Sequence, residues 1–239
     1  MIGRFHEISV HAPDVLASIE FYERLGFVQV TTGEAFPYPY AVVTDGRVAI
    51  GLHQRELGQS PLLAFVLPEL SAELGALERI GIVIEDRRLG SDVFNEASFT
   101  AGGGQLIRLL EARTYSPSQR APGETSRLGW FEEYALPVAD LKQAERSWES
   151  LGFVPAEEGD EPYPHVGMTS DSLNVALLHT GVLARPALVF MEESMPARVA
   201  ALADAGVEFA RRLPAKLDPS RHALLVAPEG TQLLLATES

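Results

Sequence analysis

The sequence predicts an α+β protein built from four β-α-β-β-β units, and two observations carry this prediction. The first is an internal repeat: the stretch from Ala12 to Val30 returns from Ala139 to Pro155, and its matching positions lie 126 residues apart. The second is that each copy reads as a strand, an Asp, an amphipathic helix ended by Gly, and further strands. The 239-residue chain is therefore predicted to be a tandem duplication of two domains.

The first unit begins with a predicted strand at Arg4–His11. Alternation puts Ile8 and Val10 on one face of this strand, and the other face is predicted to carry Phe5, Glu7, Ser9 and His11. A helix from about Val15 to Leu25 should cover the Ile8 face. The unit is completed by three predicted strands, of which the last two join at an Asp45-Gly46 turn: Phe27–Thr31, Tyr40–Thr44 and Val48–His53.

The remaining units repeat this order. The second has a helix at Ser71–Ile80 and strands at Leu62–Leu67, Ile82–Glu85, Glu96–Thr100 and Gln105–Leu110. The third has a helix at Leu141–Leu151 and strands at Phe131–Val138, Phe153–Ala156, His165–Thr169 and Leu173–His179. The fourth has a helix at Pro196–Ala205 and strands at Ala187–Glu192, Val207–Arg211, His222–Ala227 and Gln232–Ala236. We expect domains at 1–113 and 129–239, joined by an aperiodic linker at 114–128 that is rich in Pro, Ser, Gly and charge.

Composition narrows the function classes. With 33 acidic against 19 basic residues, the formal charge of −14 would repel phosphate backbones and anionic membranes, so we expect neither nucleic acid nor a membrane as partner. The absence of cysteine excludes disulfides, thiolate metal sites and a Cys nucleophile. The first residues enter a strand pattern without a charged leader, and no apolar run approaches the length of about 18 residues that spans a bilayer. We therefore expect a cytoplasmic protein.

Three motifs resemble the vicinal oxygen chelate superfamily, which includes glyoxalase I, bleomycin-resistance proteins, extradiol dioxygenases and fosfomycin-resistance enzymes. They are FYERLGF from Phe21, ESLGF from Glu149 and APEG from Ala227. The resemblance implies two glyoxalase-like domains, each an eight-stranded mixed sheet curled around a concave cleft with helices outside. In the enzymes of the superfamily it implies a divalent metal such as Zn, Ni, Mn or Fe, held by His on the first strand, His on the fifth and Glu on the eighth.

The residues at the implied metal positions are of the wrong kind. Counting seven residues back from the Asp of each copy gives Glu7 and Glu133, and the other positions fall near Leu62 and Ala187 and on Arg108 and Leu234. Leu has no lone pair to offer and Arg carries a fixed positive charge, so we expect no metal. We expect Arg108 to take the place of the metal and pair with Glu7, and Glu133 to find a His, Tyr or water partner. His6, one residue off, should point towards the helix.

Six residues are candidates for ligand binding: Glu7, His53, Arg108, Glu133, His165 and His179. The two glutamates recur at matching positions, and so do His53 and His179 near the ends of two fourth strands. His165 follows a Pro-Tyr-Pro sequence, as Tyr40 does in the first half. The plainer alternatives are solvated glutamates, edge histidines that only satisfy a hydrogen bond, and a rigid turn.

The leading functional prediction is a small-molecule-binding protein without a catalytic metal, which sequesters an organic or antibiotic-like ligand as bleomycin-resistance proteins do. The alternative is an enzyme, either a glyoxalase-like lyase or isomerase or an extradiol-type dioxygenase. It would use a divergent divalent-metal site, or one of the glutamates with a nearby His as general base. A third hypothesis is a degenerate member kept for protein association. Monomer and homodimer both remain open.

Overall fold

A computed structural model describes residues 2–31, 36–112, 126–159 and 163–238. Within these ranges the chain forms two mixed sheets and four helices, which confirms the predicted α+β class. Each of these helices has ten residues, and none of them is long and apolar enough to cross a bilayer.

The first sheet has eight strands in the order β2-β3-β4-β1-β5-β8-β7-β6. Its strands are β1 (Arg4–His11), β2 (Val28–Val30), β3 (Tyr40–Thr44), β4 (Ala49–His53), β5 (Leu62–Leu67), β6 (Asp86–Arg88), β7 (Glu96–Ala101) and β8 (Gln105–Glu111). Its helices are α1 (Val15–Arg24) and α2 (Leu70–Arg79). The two units join where β1 pairs antiparallel with β5, while β4 and β8 flank this pair in parallel. The unit order predicted from the repeat is therefore confirmed.

The second sheet has seven strands in the order β10-β11-β12-β9-β13-β15-β14. Its strands are β9 (Trp130–Val138), β10 (Val154–Gly159), β11 (His165–Thr169), β12 (Asn174–His179), β13 (Ala187–Glu192), β14 (His222–Val226) and β15 (Gln232–Thr237). Its helices are α3 (Leu141–Ser150) and α4 (Met195–Asp204). The centre of this sheet repeats the first, since β9 pairs antiparallel with β13 and parallel with β12.

Two predicted strands are wrong for the same reason. The segment predicted at Val207–Arg211 is not a strand, and a single backbone hydrogen bond joins it to β14, so the second sheet has seven strands and not eight. The segment predicted at Ile82–Glu85 is also irregular, and the strand forms directly after it as β6. Both segments follow a helix and pack their apolar side chains against the core, which fixes them without a ladder.

The repeated helix signals do what the sequence predicts. Asp14 caps α1 by accepting a hydrogen bond from Ala17 N at 3.0 Å, and Asp140 caps α3 by accepting one from Gln143 N at 3.0 Å. Both helices end at a glycine with positive φ, 89° at position 26 and 92° at position 152, where a side chain would be strained. The repeat therefore fixes the ends of the helices as well as their order.

The two sheets share one apolar core. Ring contacts join Phe27 to Phe190 at 6.2 Å and Phe65 to Phe153 at 6.5 Å, so each pair links one half of the chain to the other. Leu128, at the end of the segment expected to be a linker, is fully buried in this core. Positions 114–125 of that segment lie outside the described residues.

Candidate functional site

A β-bulge in β1 sets which side chains enter the first cleft. The first cleft is the face of the first sheet opposite its helices, and it is defined by Glu7, Tyr40, His53, Ala64 and Arg108. Phe5 pairs with Phe65 on β5, whereas Glu7 pairs with Ala64, so His6 is the extra residue of the bulge. The prediction that Phe5 shares a strand face with Glu7 is therefore wrong. Because the bulge restarts the alternation of side chains, Phe5 packs in the core.

The carboxylate of Glu7 lies at the floor of the first cleft and is only 2% exposed. Ser9 Oγ donates to its Oε1 at 2.7 Å, and Tyr40 OH donates to its Oε2 at 2.6 Å. His53 Nε2 lies 3.1 Å from Oε1. His6 Nε2 lies 3.9 Å from Oε2, so His6 stands beside Glu7 and does not turn towards the helix as expected. Both oxygens of Glu7 thus already have protein partners.

Glu7 is ionised at neutral pH despite its burial. Burial by itself raises the pKa of this carboxyl, but the hydrogen bond from His53, the charges of His6 and His53, and the hydrogen bond from Ser9 together lower the pKa to about 2. Burial and the nearby Glu7 charge raise the pKa of Tyr40, so Tyr40 keeps its proton and acts as a donor.

A chain of hydrogen bonds leads from this floor to the mouth of the first cleft. His53, 1% exposed, bridges Glu7 through Nε2 and the half-buried Tyr38 through Nδ1, which lies 3.2 Å from the Tyr38 hydroxyl. The Phe36 ring stacks on Tyr38 with centroids 5.2 Å apart and meets Tyr40 edge-on at 4.9 Å. We call Phe36, Tyr38 and Tyr40 the aromatic wall. It stands above a polar floor in which both Glu7 oxygens have hydrogen-bond partners.

Arg108 belongs to the same cleft but does not pair with Glu7. It lies on β8 opposite Ala64, two strands away from Glu7, and each strand spacing is about 4.8 Å. Among the ion pairs of the described residues, Glu7 joins His6 and His53, and Arg108 joins no carboxylate. The predicted Glu7–Arg108 pair is wrong because nearer donors already occupy both oxygens of Glu7.

The donor set does not fit the metal of the superfamily's enzymes. The register places Ala64, and not Leu62, opposite Glu7 on the fifth strand, and Val189, and not Ala187, opposite Glu133. These aliphatic side chains have no lone pair to offer a metal. At the last ligand position, Leu234 has none either, and Arg108 brings a positive charge that would repel a cation. Within the described ranges no three His, Asp or Glu side chains are placed to hold a metal ion.

The second cleft, the matching face of the second sheet around Glu133, has a different chemistry. Glu133 is 8% exposed and accepts a hydrogen bond from Tyr163 OH at 2.7 Å, which confirms the expectation of a Tyr partner. Burial raises the pKa of Glu133, and the Tyr163 hydrogen bond and the His165 charge only partly oppose this rise. His165 Nδ1 itself lies 2.8 Å from the Tyr163 carbonyl oxygen. The matched glutamates thus have pKa values shifted in opposite directions.

Apolar side chains of the chain itself fill the second cleft. Val182 and Leu183, from the loop after β12, and Leu217, from the loop before β14, pack with Tyr163 against Leu234. All five are at most 4% exposed. In the first cleft, by contrast, Tyr38 and Arg108 remain half-buried. The first cleft is therefore the more accessible of the two.

The predicted equivalence of His53 and His179 is wrong. His53 pairs with His11 on β1, but His179 pairs with Val138 on β9, one residue beyond the position that matches His11. The matched positions are 126 residues apart in β2 and β10 but 125 apart in the next two strands of each sheet, β3–β4 and β11–β12, so Leu178 takes the place of His53. His179 is exposed and takes no part in either cleft.

Sequence reasoning missed three of the side chains that build the first cleft: Phe36, Tyr38 and Arg55. The repeated Pro-Tyr-Pro sequence is the signal that could have found Tyr38, because the same tyrosine of the second copy, Tyr163, binds Glu133. No comparable sequence pattern points to Arg55, whose guanidinium lies 5.1 Å from the Tyr38 ring centroid.

No protein-family profile matches this sequence, and no curated protein matches it. Solved structures do. The 2,3-dioxygenase LapB from Pseudomonas sp. KL28 superposes with a TM-score of 0.60 at 13% identity, covering 99% of this chain and 92% of that one. Homoprotocatechuate 2,3-dioxygenase from Arthrobacter globiformis superposes with a TM-score of 0.62 at 16% identity, covering 99% of this chain and 80% of that one. The Mn(II)-bound glyoxalase from Novosphingobium aromaticivorans superposes with a TM-score of 0.62 at 14% identity, covering 98% of this chain and 82% of that one.

These similarities confirm the predicted fold: the chain has the glyoxalase-like fold, with two mixed sheets, of these dioxygenases and this glyoxalase. At such low identity they concern the fold alone. Function has to be argued from the first cleft itself.

Proposed function

We propose that this protein binds a small organic molecule in the first cleft, without a metal ion, and that the second cleft has a structural role. The observation that carries the proposal is the contrast between the two: an accessible aromatic wall above a fixed polar floor in one, and a plug of apolar side chains in the other. Ligand sites are commonly concave, with apolar or aromatic walls and a few placed polar groups.

The ligand contacts would come from the mouth of the cleft and not from Glu7. Both Glu7 oxygens are occupied, so a ligand could reach the carboxylate only by displacing Tyr40 or His53. Tyr38 presents its ring and hydroxyl at the mouth, and Arg108 presents a guanidinium without a carboxylate partner among the described residues. A cytoplasmic location and a monomer or homodimer remain part of the proposal, to be checked by fractionation and size-exclusion chromatography.

Thermal unfolding in the presence of a library of aromatic and natural-product compounds tests the proposal. A ligand at 100 times its Kd stabilises the folded state by about 2.7 kcal/mol, which raises the Tm by several degrees. Tyr38→Ala should abolish the rise, and His179→Ala, an exposed change in the second domain, should leave it intact. A rise that survives Tyr38→Ala and disappears in His179→Ala would move the ligand to the second domain and contradict the proposal.

One observation supports a second candidate function, an acid–base enzyme that needs no metal. The Glu7–His53–Tyr38 chain links a buried carboxylate through an imidazole to a hydroxyl at the cleft mouth, an arrangement that can exchange a proton with a bound substrate. Tyr38→Phe keeps the ring but removes the exchangeable proton. Turnover of 2-oxoaldehyde hemithioacetals, whose isomerisation needs only proton transfer, that is lost in Tyr38→Phe while binding is retained would establish this function. Equal turnover in both proteins would exclude Tyr38 as the acid.

A further inference from the structure

The guanidinium of Arg108 is half-buried without a carboxylate partner among the described residues. Three of its neighbours on the cleft face are apolar, Ala64 opposite on β5 and Leu106 and Leu110 on β8, while Ser98, an uncharged residue, lies opposite on β7. A partly desolvated charge without an ion pair is costly in a folded protein, and burial accordingly lowers the pKa of Arg108. A site of this kind is suited to a partner that arrives from solution.

A second arginine stands at the same mouth. Arg55 is exposed and lies over the Tyr38 ring, and its charge acts on Arg108. Glu96 is the acid that acts most strongly on Arg108, but it forms no ion pair with it, and Glu7 is taken up by its own hydrogen bonds. Two cations thus face the opening of the cleft, in a chain whose overall charge is −14.

We propose that the first cleft selects organic anions, and in particular aromatic carboxylates, with Arg108 binding the carboxylate and the Phe36–Tyr38 side of the aromatic wall binding the ring. This inference rests on the proposed function and adds the chemical class of the ligand. Arg presents a planar fork of donors that matches a carboxylate in two parallel hydrogen bonds. Arg55 at the rim contributes a second positive charge that attracts the anion.

The duplication supplies a matched variant. The position that corresponds to Arg108 in the second sheet is Leu234: Arg108 pairs with Ala64, and Leu234 pairs with Val189 in the same register. Arg108→Leu therefore installs a residue that the same fold already accommodates at the equivalent place. Arg88→Leu removes one positive charge from the exposed edge strand β6 and serves as the control for net charge.

The test is a ¹⁹F NMR titration with 4-fluorobenzoate, 4-fluorophenylacetate and 4-fluorocinnamate, each compared with its neutral primary amide. We expect at least one acid to bind about tenfold or more tightly than its amide, a difference of about 1.4 kcal/mol. Arg108→Leu should remove this preference, Arg108→Lys should retain part of it, and Arg88→Leu should leave it unchanged. Raising NaCl from 50 to 500 mM should weaken binding of the acid and not of the amide.

The outcomes separate the inference from the proposed function. Equal binding of acids and amides would overturn the selectivity for anions while leaving small-molecule binding in place. A preference for acids that persists in folded Arg108→Leu would also overturn the inference, because Arg108 would not be the partner. Binding of neither class would overturn it too, and together with a library that yields no rise in Tm it would remove the proposed function. Should Arg108→Leu not fold, the Arg108→Lys variant and the salt titration decide.

Discussion

Replacing Glu7 and Glu133 separately by Gln should affect stability very differently, although the two residues occupy matching positions. Glu7 is held ionised by His53, His6 and Ser9, and it also accepts a hydrogen bond from Tyr40. An amide would lose charged hydrogen bonds and leave a donor facing a donor. In the part of the chain that the structure describes, the carboxyl of Glu133 accepts one hydrogen bond, from Tyr163 OH. A Gln oxygen can still accept it, and burial makes the charged form of Glu133 unfavourable.

The magnitude for Glu7 follows from its pKa. Each pKa unit is worth about 1.4 kcal/mol, so the shift from 4.5 to about 2 corresponds to roughly 3 kcal/mol of stability at neutral pH. We therefore expect Glu7→Gln to lower the free energy of unfolding by roughly 3 kcal/mol at pH 7. Glu133→Gln should leave it unchanged or raise it slightly, because the variant no longer has to bury a charge.

The pH dependence gives a second readout of opposite sign. The stability from Glu7 is present above its unfolded pKa and is lost as the pH falls from about 4.5 towards 2. Hence the gap between wild type and Glu7→Gln should narrow by roughly 1.4 kcal/mol between pH 7 and pH 3.5. Glu133 has a raised pKa, so its contribution is favourable at low pH and is lost as the pH rises through that pKa.

The assay is urea unfolding at pH 7, 5 and 3.5. The dependence of the unfolding free energy on urea concentration is compared between variants, to check that the same transition is measured. The reasoning is refuted if Glu7→Gln is as stable as wild type at pH 7. It is refuted equally if Glu133→Gln loses as much as Glu7→Gln, because the two carboxyls would then be energetically equivalent despite their different partners.

Two further predictions concern the frame of the site. A Cβ on Gly51 would overlap the Glu7 carboxylate, so Gly51→Ala should cost about 1 to 3 kcal/mol in urea unfolding but much less in a Glu7→Ala background; equal costs in both backgrounds would show that the overlap is not the cause. Asp14→Ala and Asp140→Ala should each lower stability by about 1 kcal/mol through loss of the cap, and a loss in only one of them would contradict the equivalence of the two helices.

Much of the fold could be predicted from the sequence because its signals are local and occur twice. The capping Asp and terminal Gly of α1 and α3 need only a few neighbouring residues, and alternation within a strand identifies most of the ladder. The irregular segment at Val207–Arg211 could not be predicted, because its apolar alternation is that of a strand while packing against the core satisfies it without one.

The site was harder to predict because it depends on register. The bulge at His6 sends Phe5 into the core, and the change of spacing from 126 to 125 replaces His53 by Leu178 in the second sheet. Neither change alters the residue composition of a strand or the alternation of apolar residues along it. The pairing of Glu7 with His53 instead of Arg108 joins residues 46 positions apart, and only the strand order decides which of them reaches the carboxylate.

One residue of the fourth strand changes the space beside the two matched glutamates. In the first, Gly51 leaves open the space beside β4 that the Glu7 carboxylate enters, which brings it to His53. The matching residue of β12 is Ala176, whose Cβ takes that space, and Glu133 binds Tyr163 instead. With Tyr163 drawn inward, apolar side chains close over the second cleft, whereas Tyr38 stays at the mouth of the first. The duplication thus kept the glutamate in both halves, and the residue beside it differs between them together with its hydrogen-bond partners.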